Sequence, residues 1–334
     1  MNIAIIGGGA AGFFAAITCA EANPACRVTI FERGKSVLEK VRVSGGGRCN
    51  VTHACFDAKE LVKYYPRGSR ELLGPFLQFG PEDTEAWFGQ RGVALKVESD
   101  GRMFPVSDDS QTIVACLTRS AQHAGVTVLT STRVEKIESL PHNKWRIGST
   151  VFDKIMLATG SNPAMWDWLQ SLGHSIVPAA PSLFTFNTKD TRLRDLAGVS
   201  VPKASLSIPG TKLAAEGPLL VTHWGLSGPA VLRLSAWGAR ELQDLTYKFP
   251  LEVNFLGDKK LPEVLELLSA IKLEHAKKTI AVNPVFNLPS RLWQRLVEAA
   301  AIPPERRWAD LGKMELQQFR GPRWRPEIGG CRAL

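Results

Sequence analysis

The chain opens on a run, Asn2 to Ile6, that is apolar after its first residue and rich in β-branched side chains. An apolar run without polar alternation suits a strand covered on both faces, so it predicts a central parallel strand. Gly7, Gly8 and Gly9 end that run. From Ala10 to Ala22 the residues are mostly small or apolar with no breaker among them, which predicts a tightly packed helix closed by Asn23 and Pro24. Arg27 to Phe31 predicts the next strand, with Glu32 at its end. Val37 to Val43 reads as helical, and so does 110–124. Val126 to Leu129 and Arg133 to Ile137 read as two short β-like runs, and Val151 to Ala158 as a further apolar strand.

Beyond residue 184 the pattern changes to short β-like runs separated by Gly and Pro: FTFN, ASLSI, PLLVT and YKFPLEVNF. Amphipathic helical segments follow, LPEVLELLSAI, SRLWQRLVEAA and WADLGKMELQQF. The expected class is α/β: a Rossmann-type domain over 1–184 with an inserted second domain, strand-rich over 185–258 and helical over 259–319. Residues 320–334, RGPRWRPEIGGCRAL, form a basic tail whose Arg, Pro and Gly content suits neither a core strand nor a helix.

The order strand, glycine turn, helix, strand, acid is that of a dinucleotide-binding unit. Gly7 permits the sharp turn out of the strand, Gly9 lets backbone approach a pyrophosphate, and Gly12 lets helix and sheet come close. The amides of Ala10 and Ala11 lie at the positive end of the helix dipole, where an anion is favoured. Glu32 follows Gly12 by 20 positions in the sequence, the separation at which a carboxylate meets ribose hydroxyls. The acid disfavours a 2′-phosphate, although Arg33 beside it leaves NADP open. A structural glycine turn is the alternative reading of such a motif.

A second glycine loop, Ser44 to Asn50, offers a flexible backbone with many donors, suited to an anion or a polar ring edge; an ordinary surface loop has the same composition. The segments GGGAAG, KVRVSGGGRCNVTH, GRMFPVSDDSQTIV, LATGS and THWGLSGPAVLRLS, in this order, resemble the BaiN/YhiN-like family of NAD(P)/FAD-dependent oxidoreductases over the chain up to about residue 319. The resemblance implies FAD as cofactor, with Ser44, Gly45, Gly47, Arg48, Cys49 and Asn50 lying along the dinucleotide toward the flavin. It also implies backbone contact of Val134 with adenine, against a plain hairpin with Val134 in the core. The turn Ala158-Thr159-Gly160 approaches the FAD in the family, where a second glycine usually stands at the position of Ser161. Arg48 is the expected charge against the pyrophosphate or flavin edge. Cys49 lacks a CxxC partner and reads as a packed residue rather than a redox thiol.

Family members continue past this point with a glycine-rich region that re-enters the FAD domain. The different tail here carries the expectation of a C-terminal truncation or frame change near residue 320. The implied activity is hydride transfer through the flavin to an unidentified small-molecule substrate, with NADH or NADPH visiting transiently because no second GxGxxG is present. A non-catalytic remnant with weak or no FAD binding is the alternative. His223, beside Trp224, is a weak catalytic candidate, since a lone His next to a Trp is usually structural.

Bulk properties narrow the rest. With 44% hydrophobic and 22% charged residues the 334-residue chain has the composition of a soluble globular protein. Its apolar runs fall short of the ~18 residues a bilayer span needs, so no membrane association is expected. Six cysteines in no regular framework and the absence of an export signal point to the cytoplasm. The formal charge of +9 is spread along the chain, so no nucleic-acid partner is expected. Neither is a metal site. The sequence does not fix an oligomeric state.

Overall fold

The computed structural model describes residues 1–312, 315, 323, 324 and 327–333. The chain divides into two units, Met1–Val177 and Pro178–Leu334.

In the first unit β1 (Asn2–Ile6), α1 (Ala10–Ala22), β2 (Arg27–Phe31) and the short α2 (Glu39–Val43) open the chain. Small elements follow: β3 (Thr52–His53), α3 (Ala58–Leu61), α4 (Ser69–Gln78), α5 (Pro81–Gly89), β4 (Leu95–Val97) and β5 (Arg102–Pro105). The unit continues with α6 (Ser110–His123), β6 (Thr127–Leu129), β7 (Glu138–Leu140), β8 (Lys144–Ile147), β9 (Thr150–Phe152), β10 (Lys154–Leu157) and α7 (Pro163–Ser171). Strands β10, β1, β2 and β6 make, in that order, a parallel four-stranded sheet of Rossmann type.

The unbroken apolar run of β1 has a physical reason in this sheet. Ile5 packs with Phe13, Ile17 and Ile113 of α1 and α6 on one side. Ala4 and Ile6 pack with Phe31, Phe152 and Met165 on the other. Successive side chains alternate faces, and both faces are covered.

Two sequence expectations change. The run 133–137 is irregular rather than a strand: after β6, Ser131 turns with a φ of 51°. There the Ser131 and Thr132 amides donate to the carbonyls of Gly34 and Glu32 at 2.8 Å each, so backbone bonding to the β2 exit replaces strand pairing. The run 151–158 splits into β9 and β10 at Asp153, whose carboxylate accepts from the Asn2 amide at 2.8 Å. β9 pairs antiparallel with β8, and β10 pairs parallel with β1.

The second unit holds β11 (Phe184–Asn187), β12 (Ser200–Ser207), β13 (Ala214–Thr222), β14 (Gly225–Ser227), α8 (Pro229–Trp237) and α9 (Ala239–Asp244). Then come β15 (Phe249–Pro250), β16 (Glu252–Asn254), α10 (Leu261–Glu274), α11 (Ser290–Ala299), β17 (Arg323–Trp324), β18 (Glu327–Ile328) and β19 (Gly330–Ala333). A seven-stranded sheet runs β17-β16-β12-β13-β14-β11-β19. One large core joins Phe184, Phe186, Leu226, Val231, Leu268, Trp293 and Trp308.

The tail therefore supplies strands after all. β17 and β19 occupy the two edges of the sheet, where backbone bonding on one side suffices and residue pattern is weakly constrained. Of the helix expected over 308–319, the described residues show a 3-10 turn at Trp308–Asp310 and helical backbone at Glu315, while residues 313, 314 and 316–319 lie outside the described residues. Among the described residues no helix is long and apolar enough to cross a membrane.

Candidate functional site

The end of β1 is fastened on both sides: the Gly7 amide donates to the Phe31 carbonyl, and the Ala158 amide to the Ile6 carbonyl, each at 2.8 Å. Gly7 leaves the strand with a φ of +116°, and a Cβ placed on it would stand 2.3 Å from the Ala158 carbonyl oxygen. A Cβ on Gly12 would stand 2.0 Å from the Gly7 carbonyl oxygen. Neither position admits another residue without moving backbone.

Gly9 differs from both. It caps α1 with extended backbone and no side-chain hydrogen bond, and a Cβ there would meet nothing within 4 Å. Phe13 is the first residue whose amide donates within the helix, to Gly9 at 3.0 Å. The first-turn amides before it, at Ala10, Ala11 and Gly12, are the unsatisfied donors of a helix start, and no acidic residue stands in that turn. The open face above Gly9 is thus a cradle for an anion.

Glu32 fastens the same loop. One carboxylate oxygen accepts from the Gly8 amide at 2.8 Å and the other from the Gly34 amide at 2.7 Å. Each oxygen keeps a further lone pair for a hydroxyl. Beside it a cavity of about 270 Å³ is lined by Gly7, Phe31, Glu32, Arg33, Val134, Thr159 and Trp168, among others. It brings together Gly7, Glu32, Arg33, Val134 and Thr159 of the residues named from sequence. Arg133, Met165 and Trp168, which also line it, escaped sequence reasoning. The only signal for the last two was the helix start at Asn162-Pro163 with Trp168 within its second turn.

The turn Ala158–Gly160 carries its left-handed residue at Gly160, with a φ of 59°. Ser161 is not among the residues of positive φ, so serine at that position costs the turn nothing.

The second glycine loop is joined to the first by α2, where the Leu38 amide donates to the Gly8 carbonyl at 2.8 Å. Gly45, Gly46 and Gly47 are all left-handed, with φ of 56°, 69° and 87°. A Cβ on Gly45 would press on the Asn50 amide nitrogen at 2.7 Å, while Gly46 and Gly47 face open space. The Ser44 hydroxyl donates to the Val41 carbonyl at 2.8 Å, and the Cys49 amide to the Ser44 carbonyl at 3.0 Å. Asn50 is exposed.

Arg48 has partners of its own. Its guanidinium pairs with Glu98, and with Asp108 at 2.7 Å, and lies 4.0 Å over the Phe104 ring centroid. Its charge is balanced within the protein. Cys49 is buried in the core beneath α1 and α6, and burial pushes its thiol up, which disfavours the reactive thiolate. Its side chain is therefore given to packing, and its amide is already bonded to the Ser44 carbonyl.

His223 and Trp224 belong to the second unit, in the turn between β13 and β14. His223 is exposed, and the Trp224 indole N–H donates to the Thr185 hydroxyl at 3.1 Å. The GLSGP turn that follows depends on its glycines: a Cβ on Gly225 would stand 2.2 Å from the Phe186 carbonyl oxygen.

These features fit a dinucleotide: open helix amides for its diphosphate, a carboxylate with spare lone pairs for a ribose, and a walled cavity for the base. Comparison with known proteins agrees with this geometry. Ribosomal RNA dihydrouridine synthase of Escherichia coli is 30% identical over 318 residues, covering 90% of this chain and 74% of the relative. The 3-dehydro-bile acid delta(4,6)-reductase of Clostridium scindens is 28% identical over 316 residues, covering 90% and 76%. Ribosomal RNA dihydrouridine synthase of Haemophilus influenzae is 25% identical over 319 residues, covering 90% and 75%. The family model described as HI0933-like protein Rossmann domain matches residues 1–330, and the chain belongs to that family, the BaiN/YhiN-like flavoprotein oxidoreductases that its glycine motifs resemble.

Proposed function

We propose that the chain is an FAD-dependent reductase that adds hydrogen across an activated carbon–carbon double bond of a ring, drawing its hydride from NADH or NADPH. The carrying observation is the open helix start at Gly9 beside a cavity walled by Glu32, a pairing that suits an adenine dinucleotide. When bound, FAD supplies the hydride chemistry that amino-acid side chains lack. The chain's own residues bind and orient it. First-turn amides of α1 hold the diphosphate, Glu32 accepts from ribose hydroxyls, and Val134 and Trp168 wall the base. The Ser44–Asn50 loop, with its bare Gly46 and Gly47, lets a flat ring system approach backbone closely.

The type of reaction follows from what the relatives' names share. A dihydrouridine synthase and a bile-acid delta(4,6)-reductase both add hydrogen to an unsaturated ring. We take the substrate to be a small molecule, reduced in the cytoplasm. A second reading, with the ring being a uridine within RNA, is favoured by the 30% identical relative and the formal charge of +9.

The test is to purify the full chain, add FAD, remove the excess, and record absorbance near ~450 nm, where bound oxidised flavin absorbs. Anaerobic NADH or NADPH then bleaches the band. Ring enones and unmodified ribosomal RNA are offered separately to restore it. A colourless protein after FAD treatment ends the proposal, and the acceptor that restores colour decides between the two substrates.

A further inference from the structure

We infer that Lys40 supplies the positive charge that meets the diphosphate of the bound dinucleotide; the inference rests on the FAD reading above. Lys40 is exposed on α2, a helix of five residues whose backbone is fixed at several points. The preceding Leu38 amide donates to the Gly8 carbonyl at 2.8 Å, Val41 is buried, and the Ser110 hydroxyl donates to the Arg42 carbonyl at 2.7 Å. The Ser44 amide in turn donates to the Lys40 carbonyl. A side chain anchored this well has a defined reach.

That reach ends at the third turn of the site. A Cβ on Gly160 would lie 3.6 Å from the Lys40 ammonium nitrogen. The same turn packs against the opening loop, since a Cβ on Gly7 would lie 3.1 Å from the Thr159 amide nitrogen. The ammonium thus stands where the opening loop, the Ala158–Gly160 turn and α2 converge. A dinucleotide running from the cavity toward the Ser44–Asn50 loop passes this place.

The charge there is also uncompensated. Glu39 pairs with Arg42 at 3.8 Å, and the two oxygens of Glu32 accept one bond each from the Gly8 and Gly34 amides. Among the described residues Lys40 makes no ion pair, whereas Arg48 and Lys96 are both taken by carboxylates. An ammonium without a counter-charge, near a helix start that has no acid in its first turn, adds to one local positive field. A diphosphate carries the matching charge. A lysine acts on it as a flexible point charge, so charge matters here more than fork geometry.

The experiment titrates the flavin-free full chain with FAD, ADP and adenosine, following intrinsic fluorescence at two salt concentrations. Lys40→Gln is expected to weaken FAD and ADP binding roughly tenfold and to flatten their salt dependence. Adenosine, which lacks the diphosphate, is expected to bind Lys40→Gln and the parent alike. Lys40→Arg retains the charge and is expected to stay within about threefold of the parent. Lys35→Gln removes a nearby exposed charge that lies outside the site and is expected to change nothing. Equal FAD affinity of parent and Lys40→Gln overturns the assignment, as does an equal loss for ADP and adenosine. A parent chain that takes up neither FAD nor ADP overturns the FAD reading itself, and the role of Lys40 with it.

Discussion

In the opening turn Gly7 and Gly12 are pressed against backbone, with carbonyl oxygens 2.3 and 2.0 Å from where their side chains would begin, whereas Gly46 and Gly47 of the second loop face open space. The second loop is held instead by side chains: Arg48 over Phe104, tied to Glu98 and Asp108, with Lys96 on Asp108 and Arg102 on Glu98. The opening turn is fixed chiefly by hard contact, with the Glu32 carboxylate accepting from the Gly8 and Gly34 amides, and the second chiefly by charge, with Gly45 alone of its glycines pressed on backbone. Contact between backbone atoms does not change with pH or salt. Ion pairs whose members are 27% to 46% exposed do. Under the proposed FAD reading, the part that would hold the diphosphate is therefore rigid, and the part that would face the flavin can respond to its surroundings.

Substitution by size breaks the comparison most sharply in the opening turn. Gly12→Val drives a branched side chain into the Gly7 carbonyl, where no flexible neighbour can yield, and is expected to cost roughly 3 kcal/mol of stability along with FAD retention. Urea unfolding and flavin absorbance check both; an unshifted midpoint would mean that hard contact does not set this turn. Gly9→Ala, three residues earlier, is expected to separate the two effects. Its methyl enters empty space, so stability should stay within about 0.5 kcal/mol of the parent. The same methyl stands where a diphosphate must approach, so FAD affinity should fall about tenfold, or ~1.4 kcal/mol. Parallel loss of stability and affinity in Gly9→Ala would remove the distinction between the cradle and the packing glycines.

The difference between the loops also decides what could be read in the sequence. β1, α1 and β2 begin and end where the pattern places them, because an apolar run, a glycine turn and a breaker are local signals. Glu32 and the glycines were visible for the same reason. Arg48 was visible as a charge, but its partners were not: Glu98 and Asp108 lie 50 and 60 positions away on another segment. Lys40 opens the segment KVRVSGGGRCNVTH but was not singled out there, since its neighbour Gly160 lies in a turn 120 positions downstream in the sequence. The run 133–137 misled because its β-branched residues suit a strand, while the bonds from Ser131 and Thr132 back to the β2 exit come first in the chain and set its course.

Asp108 offers the finer test of the charge-held loop. Its hydrogen bonds from Lys96 and then Arg48 hold its carboxyl below the ordinary aspartate value of 3.8. A carboxyl whose value is lower in the folded chain than in the unfolded one stabilises the fold at pH above the ordinary value. The contribution fades as pH falls through the lowered value. From neutrality down to about pH 4 the Arg48 clamp should therefore hold, and below that it should loosen as Asp108 takes a proton. In the parent, flavin release should be flat over the upper range and should accelerate below about pH 4. Asp108→Asn keeps the shape but removes the charge, so it should release flavin a few-fold faster than the parent at neutral pH, with a smaller further rise in acid. Flavin fluorescence after dilution reads the release rate, and tryptophan fluorescence at each pH shows whether the fold itself has opened. Identical acid profiles for Asp108→Asn and the parent, with the fold intact in both, would show that some force other than this ion cluster holds the second loop.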